Sequence, residues 1–162
     1  MSALRVLVVD DDHDSADSLA LLCGLLGHKV VTAYDGTRGL ALAPGFDPHI
    51  VLLDIGMPGL NGYEVARRLR SDMPEARMHI IAVTGYGEKK DIIRTYEAGF
   101  DAHLLKPVGS MDLDAVLARF AESQQKLASD RRYTAGTDLK LNGAQPANGD
   151  RRAAGLRSSD DL

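Results

Sequence analysis

Five short apolar runs, each followed by a segment with helical spacing, divide the first part of the chain. Runs rich in Val, Ile and Leu and bounded by turn residues are typical of strands buried in a parallel sheet. Between the runs, apolar residues recur every three or four positions, which predicts helices with one buried face. The predicted strands cover about residues 5–9, 30–34, 50–54, 79–84 and 102–106, and the predicted helices about 15–26, 37–43, 63–69, 89–98 and 110 onwards.

The regular alternation of strands and helices predicts an α/β fold, a five-stranded parallel sheet with helices on both faces. Right-handed crossovers restrict the topology to a few strand orders. We expect the flavodoxin-like (β/α)5 order 2-1-3-4-5, which is one of the two common ones. In that order strands one and three are neighbours, so their carboxyl ends lie side by side.

Glycine and proline mark the expected helix ends. Gly27 and Gly99 follow helical patterns at the position where a left-handed backbone conformation is favoured. Pro44 and Gly45 are expected to end the second helix at Ala43, because proline interrupts helical hydrogen bonding.

The composition is that of a soluble domain with a tail. The chain has 162 residues, of which 44% are apolar and 26% are charged. We expect a folded domain at residues 1–122 and an extension at 123–162. The extension holds the end of the last helix and then, from about residue 130, a disordered tail, because it has too few large apolar residues to offset the entropy of ordering.

The charge is mildly negative, with a formal net value of −4. Seven of the 19 basic residues and five of the 23 acidic residues fall in 123–162, which leaves the domain at about −6 and the extension at about +2. This balance makes no electrostatic case for nucleic acid, and we expect none as a partner.

Two absences bear on the compartment. The single cysteine, Cys23, lies among leucines in a predicted helix, which excludes an intrachain disulfide, fits a reducing compartment and predicts a buried, unreactive thiol. The amino terminus has no signal-peptide pattern, and no apolar run reaches the ~18–20 residues that span a bilayer. We therefore expect a cytoplasmic protein without membrane contact.

Polar side chains gather where the predicted strands end. Asp54 follows a run of four apolar residues, and Asp10 and Asp11 follow the first strand. Three adjoining carboxylates repel one another, so a divalent cation, a basic side chain or protonation must compensate. Thr84 and Lys106 end the fourth and fifth strands at the same edge. Mg²⁺ suits such a site, since it binds through one or two carboxylates and keeps water and phosphate oxygens as further ligands.

This set of groups is suited to phosphoryl transfer onto a carboxylate. Asp54 would be the nucleophile, and a cation, Lys106 and Thr84 would neutralise the oxygens of the moving group. Each residue alone has a plainer interpretation: an Asp at a strand end often caps a helix, and a Lys before Pro is often a solvated charge. The joint pattern favours the chemical interpretation.

At these residues the sequence resembles the CheY-like receiver domain of response regulators in two-component signalling. The resemblance covers about residues 4–122, and its motifs stand in the family's order and spacing. The motifs are Val8-Val9-Asp10-Asp11, Leu52-Leu53-Asp54-Ile55-Gly56-Met57-Pro58-Gly59-Leu60-Asn61-Gly62, Val83-Thr84-Gly85 and Lys106-Pro107.

The resemblance implies a role for each acid at the site. Asp54 would be the phosphoacceptor. Asp11 would be the direct Mg²⁺ ligand, Asp10 would contribute mainly through water, and the backbone carbonyl of Gly56 would be the third protein ligand. Because Gly56 has no side chain to block or position an attacking water, the lifetime of the acyl phosphate is not predicted.

The resemblance also implies a switch. Thr84 would be its hydroxyl, Lys106 would pair with the phosphoryl group, and the peptide bond before Pro107 would be cis. His103 stands where the family usually has a Tyr or Phe. An imidazole there could swing inward, with a charge that varies with pH, or be an ordinary surface histidine.

The implied function is a phosphorylation-dependent signalling switch. A histidine kinase or a histidine phosphotransfer protein would donate a phosphoryl group from phosphohistidine, and the output would be a changed protein–protein contact. The protein would not be an enzyme beyond its own phosphorylation and dephosphorylation. We expect a free-standing single-domain receiver; the alternative is a receiver cut from a hybrid histidine kinase.

Two other classes remain open from the sequence. Haloacid-dehalogenase-like phosphatases also form an aspartyl phosphate, but they need a second acid two residues after the nucleophile. After Asp54 that position is Gly56, and after Asp10 it is Asp12. The remaining class is a binding module with an inert site, against which the intact site residues argue.

Overall fold

The computed structural model describes residues 2–85 and 89–141, and in these residues five strands alternate with five helices. The apolar runs described above form the strands, and the segments with helical spacing form the helices. The elements are β1 Arg5–Val9, α1 His13–Leu25, β2 Lys29–Ala33, α2 Gly36–Phe46, β3 Ile50–Asp54, α3 Gly62–Asp72, β4 His79–Thr84, α4 Lys89–Glu97, β5 Ala102–Leu105 and α5 Ser110–Leu141.

The five strands form one parallel sheet in the order β2-β1-β3-β4-β5, which confirms the predicted fold. Val9 pairs with Leu53 across β1 and β3, so the two strands end together. Thr84 pairs with Leu105 at the other side of the sheet. The carboxyl ends of the five parallel strands lie along one border of the sheet, which we call the carboxyl edge. The opposite border, where the strands begin, is the amino edge.

The continuous apolar runs are explained by burial on both faces of the sheet. All five residues of β3 are buried. One face of β1 and β3 packs against α1 and α5, and the other packs against α2 and α3. The central strands are therefore covered by an apolar layer on each face. The loops that join strands and helices leave the sheet only at its carboxyl and amino edges.

Glycine ends two helices as predicted, but proline does not end α2. Gly27 and Gly99 have φ values of 91° and 101°. Pro44 lies inside α2, which continues to Phe46, so the predicted end at Ala43 is wrong. Pro44 is solvent-exposed and Phe46 packs against the core, so tertiary packing holds the last turn despite one lost hydrogen bond.

The last helix is longer than the sequence predicted. Helix α5 continues to Leu141, although we expected disorder from about residue 130. A helix that is already nucleated gains one hydrogen bond for each residue added, so the Thr and Gly residues of this stretch do not by themselves end it. The predicted tail at 142–162 lies outside the described residues. The chain divides into two compact units whose boundary lies between Gln125 and Lys126, three residues after the predicted domain end.

Cys23 is completely buried in α1, and burial raises the pKa of its thiol to about 11. It is therefore a core residue, as predicted, and no reactive thiolate forms at neutral pH. Among the helices described, none combines the length and the apolar character that crossing a membrane requires.

Candidate functional site

Three carboxylates converge at the carboxyl edge because β1 and β3 are neighbours and end together. Oxygens of Asp10, Asp11 and Asp54 all lie within 4.8 Å of one another. Asp10 and Asp54 are 1% and 8% exposed, whereas Asp11 faces solvent. Two desolvated acids beside an exposed one form a cluster of hard oxygen ligands, which could hold a divalent cation.

The electrostatics of the cluster centre on Asp54. Burial and the negative charge of Asp10 raise the pKa of Asp54 from its ordinary value of 3.8 to about 6. The ammonium of Lys106 and the backbone N–H of Gly56, 3.3 Å from Asp54 Oδ1, act in the opposite direction without cancelling the rise. The site is therefore short of positive charge.

Lys106 supplies the nearest positive charge among the described residues. Its Nζ lies 2.9 Å from Asp10 Oδ2 and 3.6 Å from Asp54 Oδ1. Burial lowers the pKa of Lys106, but the hydrogen bond to Asp10 and the charge of Asp54 outweigh burial and raise it. Of the two carboxylates beside Lys106, Asp10 is the closer partner. The peptide bond between Lys106 and Pro107 is cis, as the resemblance implied.

The loop after Asp54 returns the chain to the strand end. The Gly62 N–H donates to the Ile55 carbonyl over 3.1 Å, and Asn61 caps α3 by accepting from the Glu64 N–H. A side chain at Gly62 would collide with the backbone of Asp54 and Ile55. In the sequence Gly62 stands out only as part of a motif, because the close approach that requires glycine depends on tertiary distances.

Thr84 ends β4 at the same edge and is 6% exposed. It lines a small cavity of about 30 Å³ together with His103, whose side chain is half-buried. A space of this size holds about one water molecule. The cavity also adjoins residues of the loop, α3 and α4, namely Ile55, Tyr63, Asp91, Ile92 and Thr95.

A wider groove of about 430 Å³ runs beside Lys106 on the other side of the site. Helix α1 forms one wall and the segment that follows β5 forms the other. The groove is mainly apolar, with hydroxyls on one wall, and it is lined by Ser15, Ser18, Leu19, Leu22, Lys106, Pro107 and Val108. The groove adjoins the site through Lys106.

Asp12, the second acid that a phosphatase based on Asp10 would need, has a different task. Its carboxylate accepts hydrogen bonds from the backbone N–H groups of Asp14 and Ser15, at 3.0 and 3.4 Å. It is thus the N-cap of α1 and is held by the helix end. A general acid at this position would lose that cap.

Comparison with known proteins agrees with this geometry. The sequence matches the response regulator receiver domain over residues 6–118. It is 36% identical over 118 residues to protein PilH of Pseudomonas aeruginosa, which covers 70% of the chain and 98% of PilH. It is 34% identical over 115 residues to the DNA-binding dual master transcriptional regulator RpaA of Synechocystis, which covers 71% of the chain but 46% of RpaA.

Among solved structures, a response regulator receiver domain protein (CheY-like) from Methanospirillum hungatei superimposes with a TM-score of 0.69 at 30% identity. The match covers 77% of the chain and 99% of that structure. The chain thus spans about half the length of RpaA and almost the full length of PilH and of the Methanospirillum structure.

Proposed function

The chain belongs to the response regulator receiver domain family of two-component signalling, and from this we propose that it is a phosphorylation-dependent switch whose phosphoryl acceptor is Asp54. The observation that carries the proposal is the cluster at the carboxyl edge. It joins a nearly buried nucleophilic carboxylate, two further acids, a lysine and a threonine at the ends of four strands. We propose a histidine kinase or a histidine phosphotransfer protein as the donor.

Asp54 acts as the nucleophile. Its carboxylate oxygen attacks the phosphorus of the partner's phosphohistidine, the P–N bond breaks as the O–P bond forms, and the leaving imidazole takes up a proton. The attack requires the ionised form of Asp54. Although the pKa of Asp54 is raised, a value of about 6 leaves most of the carboxyl ionised at neutral pH. The open groove beside Lys106 supports access of a macromolecular donor from that side.

Lys106 and Thr84 stabilise the transferred group. The Lys106 ammonium is already within 3.6 Å of Asp54 Oδ1, so a small shift away from Asp10 brings it to a phosphoryl oxygen. Thr84, at the end of the neighbouring strand β4, supplies a hydroxyl at the same edge. Such fixed donors stabilise charge without reorganisation, and positioning supplies most of the rate in phosphoryl transfer.

The acidic cluster fits Mg²⁺, because its donors are hard oxygens and its carboxylates lack a full complement of positive charge. Asp11 and Asp54 would hold the ion directly, Asp10 mainly through water, and the Gly56 carbonyl would complete the protein ligands. When bound, the ion would neutralise phosphoryl oxygens that Lys106 does not reach.

The output follows from the cavity beside Thr84. Movement of Thr84 towards a phosphorylated Asp54 would enlarge this space and allow His103 to turn inward from β5. The surface of α4, β5 and α5 would then change its preferred protein partner. RpaA is described as DNA-binding, but the chain spans less than half of it, so the absence of nucleic acid remains a prediction here.

Phosphotransfer kinetics test the proposal. With Mg²⁺ and a small phosphoryl donor such as acetyl phosphate, we expect one phosphoryl group per chain, and expect Asp54→Asn to abolish it. Thr84→Ala and Lys106→Met should accept the group more slowly, because a stabilising donor is lost, and should lose the shift in partner preference. Full phosphorylation of the Asp54→Asn variant would overturn the proposal, and sustained turnover of a phosphomonoester would favour the phosphatase class instead.

A further inference from the structure

Two histidines flank the first strand at the amino edge, the side of the sheet opposite Asp54. His28 immediately precedes β2 and His49 immediately precedes β3, the two strands that pair with β1. Neither residue is used by the proposed phosphorylation chemistry. Both side chains are partly buried.

Each imidazole accepts a backbone hydrogen bond from the start of β1. The Leu4 N–H donates to His28 Nδ1 over 3.2 Å, and the Arg5 N–H donates to His49 Nδ1 over 3.0 Å. In return, the His49 N–H donates to the Arg5 carbonyl over 2.9 Å, and the Lys29 N–H donates to the Leu4 carbonyl over 2.8 Å. The two rings thus continue the hydrogen bonding of the sheet beyond its regular ladder.

These bonds require both rings to be neutral. A nitrogen that accepts from an N–H group must offer its lone pair, so Nδ1 is unprotonated and the ring proton sits on Nε2. Protonation would place an N–H group opposite the N–H of Leu4 or Arg5. A partly buried backbone N–H without an acceptor is costly, so the strand end would have to release the ring.

The surrounding charges do not reverse this preference. Burial lowers the pKa of His28, and Asp114 of α5 opposes the change in part. Burial and the charge of Arg5 lower the pKa of His49, and Asp47 opposes them in part. Arg5 and Asp47 form an ion pair of 3.0 Å with each other, which limits the compensation that Asp47 offers to the ring.

A third histidine at the amino edge behaves differently. His79 begins β4, its Nδ1 lies 3.7 Å from Asp101 Oδ2, and its ring stacks on Phe120 at 4.2 Å. Arg70 shares that carboxylate over 2.8 Å. The ion-pair partner of the His79 ring therefore lies just before β5 rather than at the start of β1.

We propose that His28 and His49 form a proton-sensitive latch that holds the start of β1 at neutral pH and releases residues 2–5 in mild acid. The sign follows from linkage: the latched state needs neutral rings, so the released state binds protons more tightly and gains population as pH falls. The latch is independent of the proposed phosphorylation of Asp54, which lies at the other edge of the sheet.

Nuclear magnetic resonance on the full chain tests the latch in two ways. Ring ¹⁵N signals should show the proton on Nε2 of both histidines at pH 7.5. Hydrogen-exchange protection of the Leu4 and Arg5 amides, corrected for intrinsic rates, should fall by up to about tenfold per pH unit below the ordinary histidine pKa of about 6.5. The Val8 amide, further along β1, should keep its protection.

Matched variants separate the latch from general acid sensitivity. Asparagine places an amide oxygen near the position of Nδ1 but does not titrate, so His28→Asn with His49→Asn should retain protection at pH 7.5 and lose its pH dependence. His13→Asn, a control at the start of α1, should leave the pH dependence unchanged. A proton on Nδ1 of both rings at pH 7.5, or an undiminished pH dependence in the double variant, would overturn the proposal.

Discussion

Asp54 occupies a position where the fold makes ionisation costly. Its pKa is about 6 in the folded protein against an ordinary 3.8, because burial and Asp10 disfavour the charge. A folded-state pKa above the unfolded one means that the folded protein holds the proton more tightly. The resulting stabilisation is present in acid and is lost as pH rises from about 4 to about 6.

Asp54→Asn should therefore stabilise the protein at pH 7.5 in the absence of divalent cations. A shift of about two pKa units corresponds to an upper limit near 3 kcal/mol, and we expect an increase of about 1–3 kcal/mol in the free energy of unfolding. The gain should vanish below about pH 4. Urea unfolding in the presence of a chelator measures this gain, and Glu122→Gln, at an exposed residue, is the control. A stability of Asp54→Asn equal to or lower than that of the unsubstituted protein at pH 7.5 would contradict this electrostatic explanation.

Lys106→Met should have the opposite effect on stability. The substitution keeps much of the apolar stem but leaves Asp10, which is 1% exposed, without the ammonium 2.9 Å away. An uncompensated buried charge is expensive, and we expect a loss of about 1–3 kcal/mol at pH 7.5 that shrinks in acid. Chemical unfolding at pH 7.5 and in acid measures this loss. The control is Lys29→Met, at an exposed residue, which should change stability by less than about 0.5 kcal/mol.

At the scale of elements, α2 lies so close to β1 that its glycines matter. A methyl group on Gly39 would lie 2.9 Å from Val9 Cγ2, whereas one on Gly24 of α1 would meet nothing within 4 Å. Because Val9 directly precedes Asp10, the contact between α2 and β1 also positions Asp10, the first acid of the cluster. The two glycines form a matched pair in two helices.

Gly24→Ala should stabilise the protein by up to about 1 kcal/mol through helix propensity. Gly39→Ala gains the same propensity but overpacks against Val9, at a cost of about 1–3 kcal/mol, so the net effect should be destabilising. Thermal unfolding of the two variants provides the comparison. Equal stabilisation by both would show that α2 is not in close contact with β1.

The elements that the sequence predicted best are those in which one physical effect dominates. Strands β3 and β4 have the predicted bounds because both are buried along nearly their full length, which leaves an uninterrupted apolar run. Helix α2 was predicted too short because local proline chemistry competes with the packing of Phe46, and packing prevails. The uninterrupted apolar run of a buried strand is visible in the sequence, whereas the packing of Phe46 against the core is not.

At the scale of the whole molecule, parallel topology made the site predictable. Once the strand order is given, residues that follow strands must meet at one edge, and Asp10, Asp54, Thr84 and Lys106 do so. The preference of Lys106 for Asp10 could not be predicted, because the distances from Lys106 Nζ to the two carboxylates, 2.9 and 3.6 Å, differ by less than 1 Å. Nor could the bonds from His28 and His49 to β1, which depend on ring orientation at the opposite edge.

The most direct test of the central claim is to locate the phosphoryl group on the chain. After incubation with a phosphohistidine donor and Mg²⁺, borohydride reduction converts an aspartyl phosphate to homoserine, which peptide mass spectrometry assigns to one position. We predict conversion at residue 54 alone, absent without donor and absent in Asp54→Asn. Homoserine at residue 10 or 11, or donor-dependent phosphorylation with residue 54 unmodified, would contradict the account.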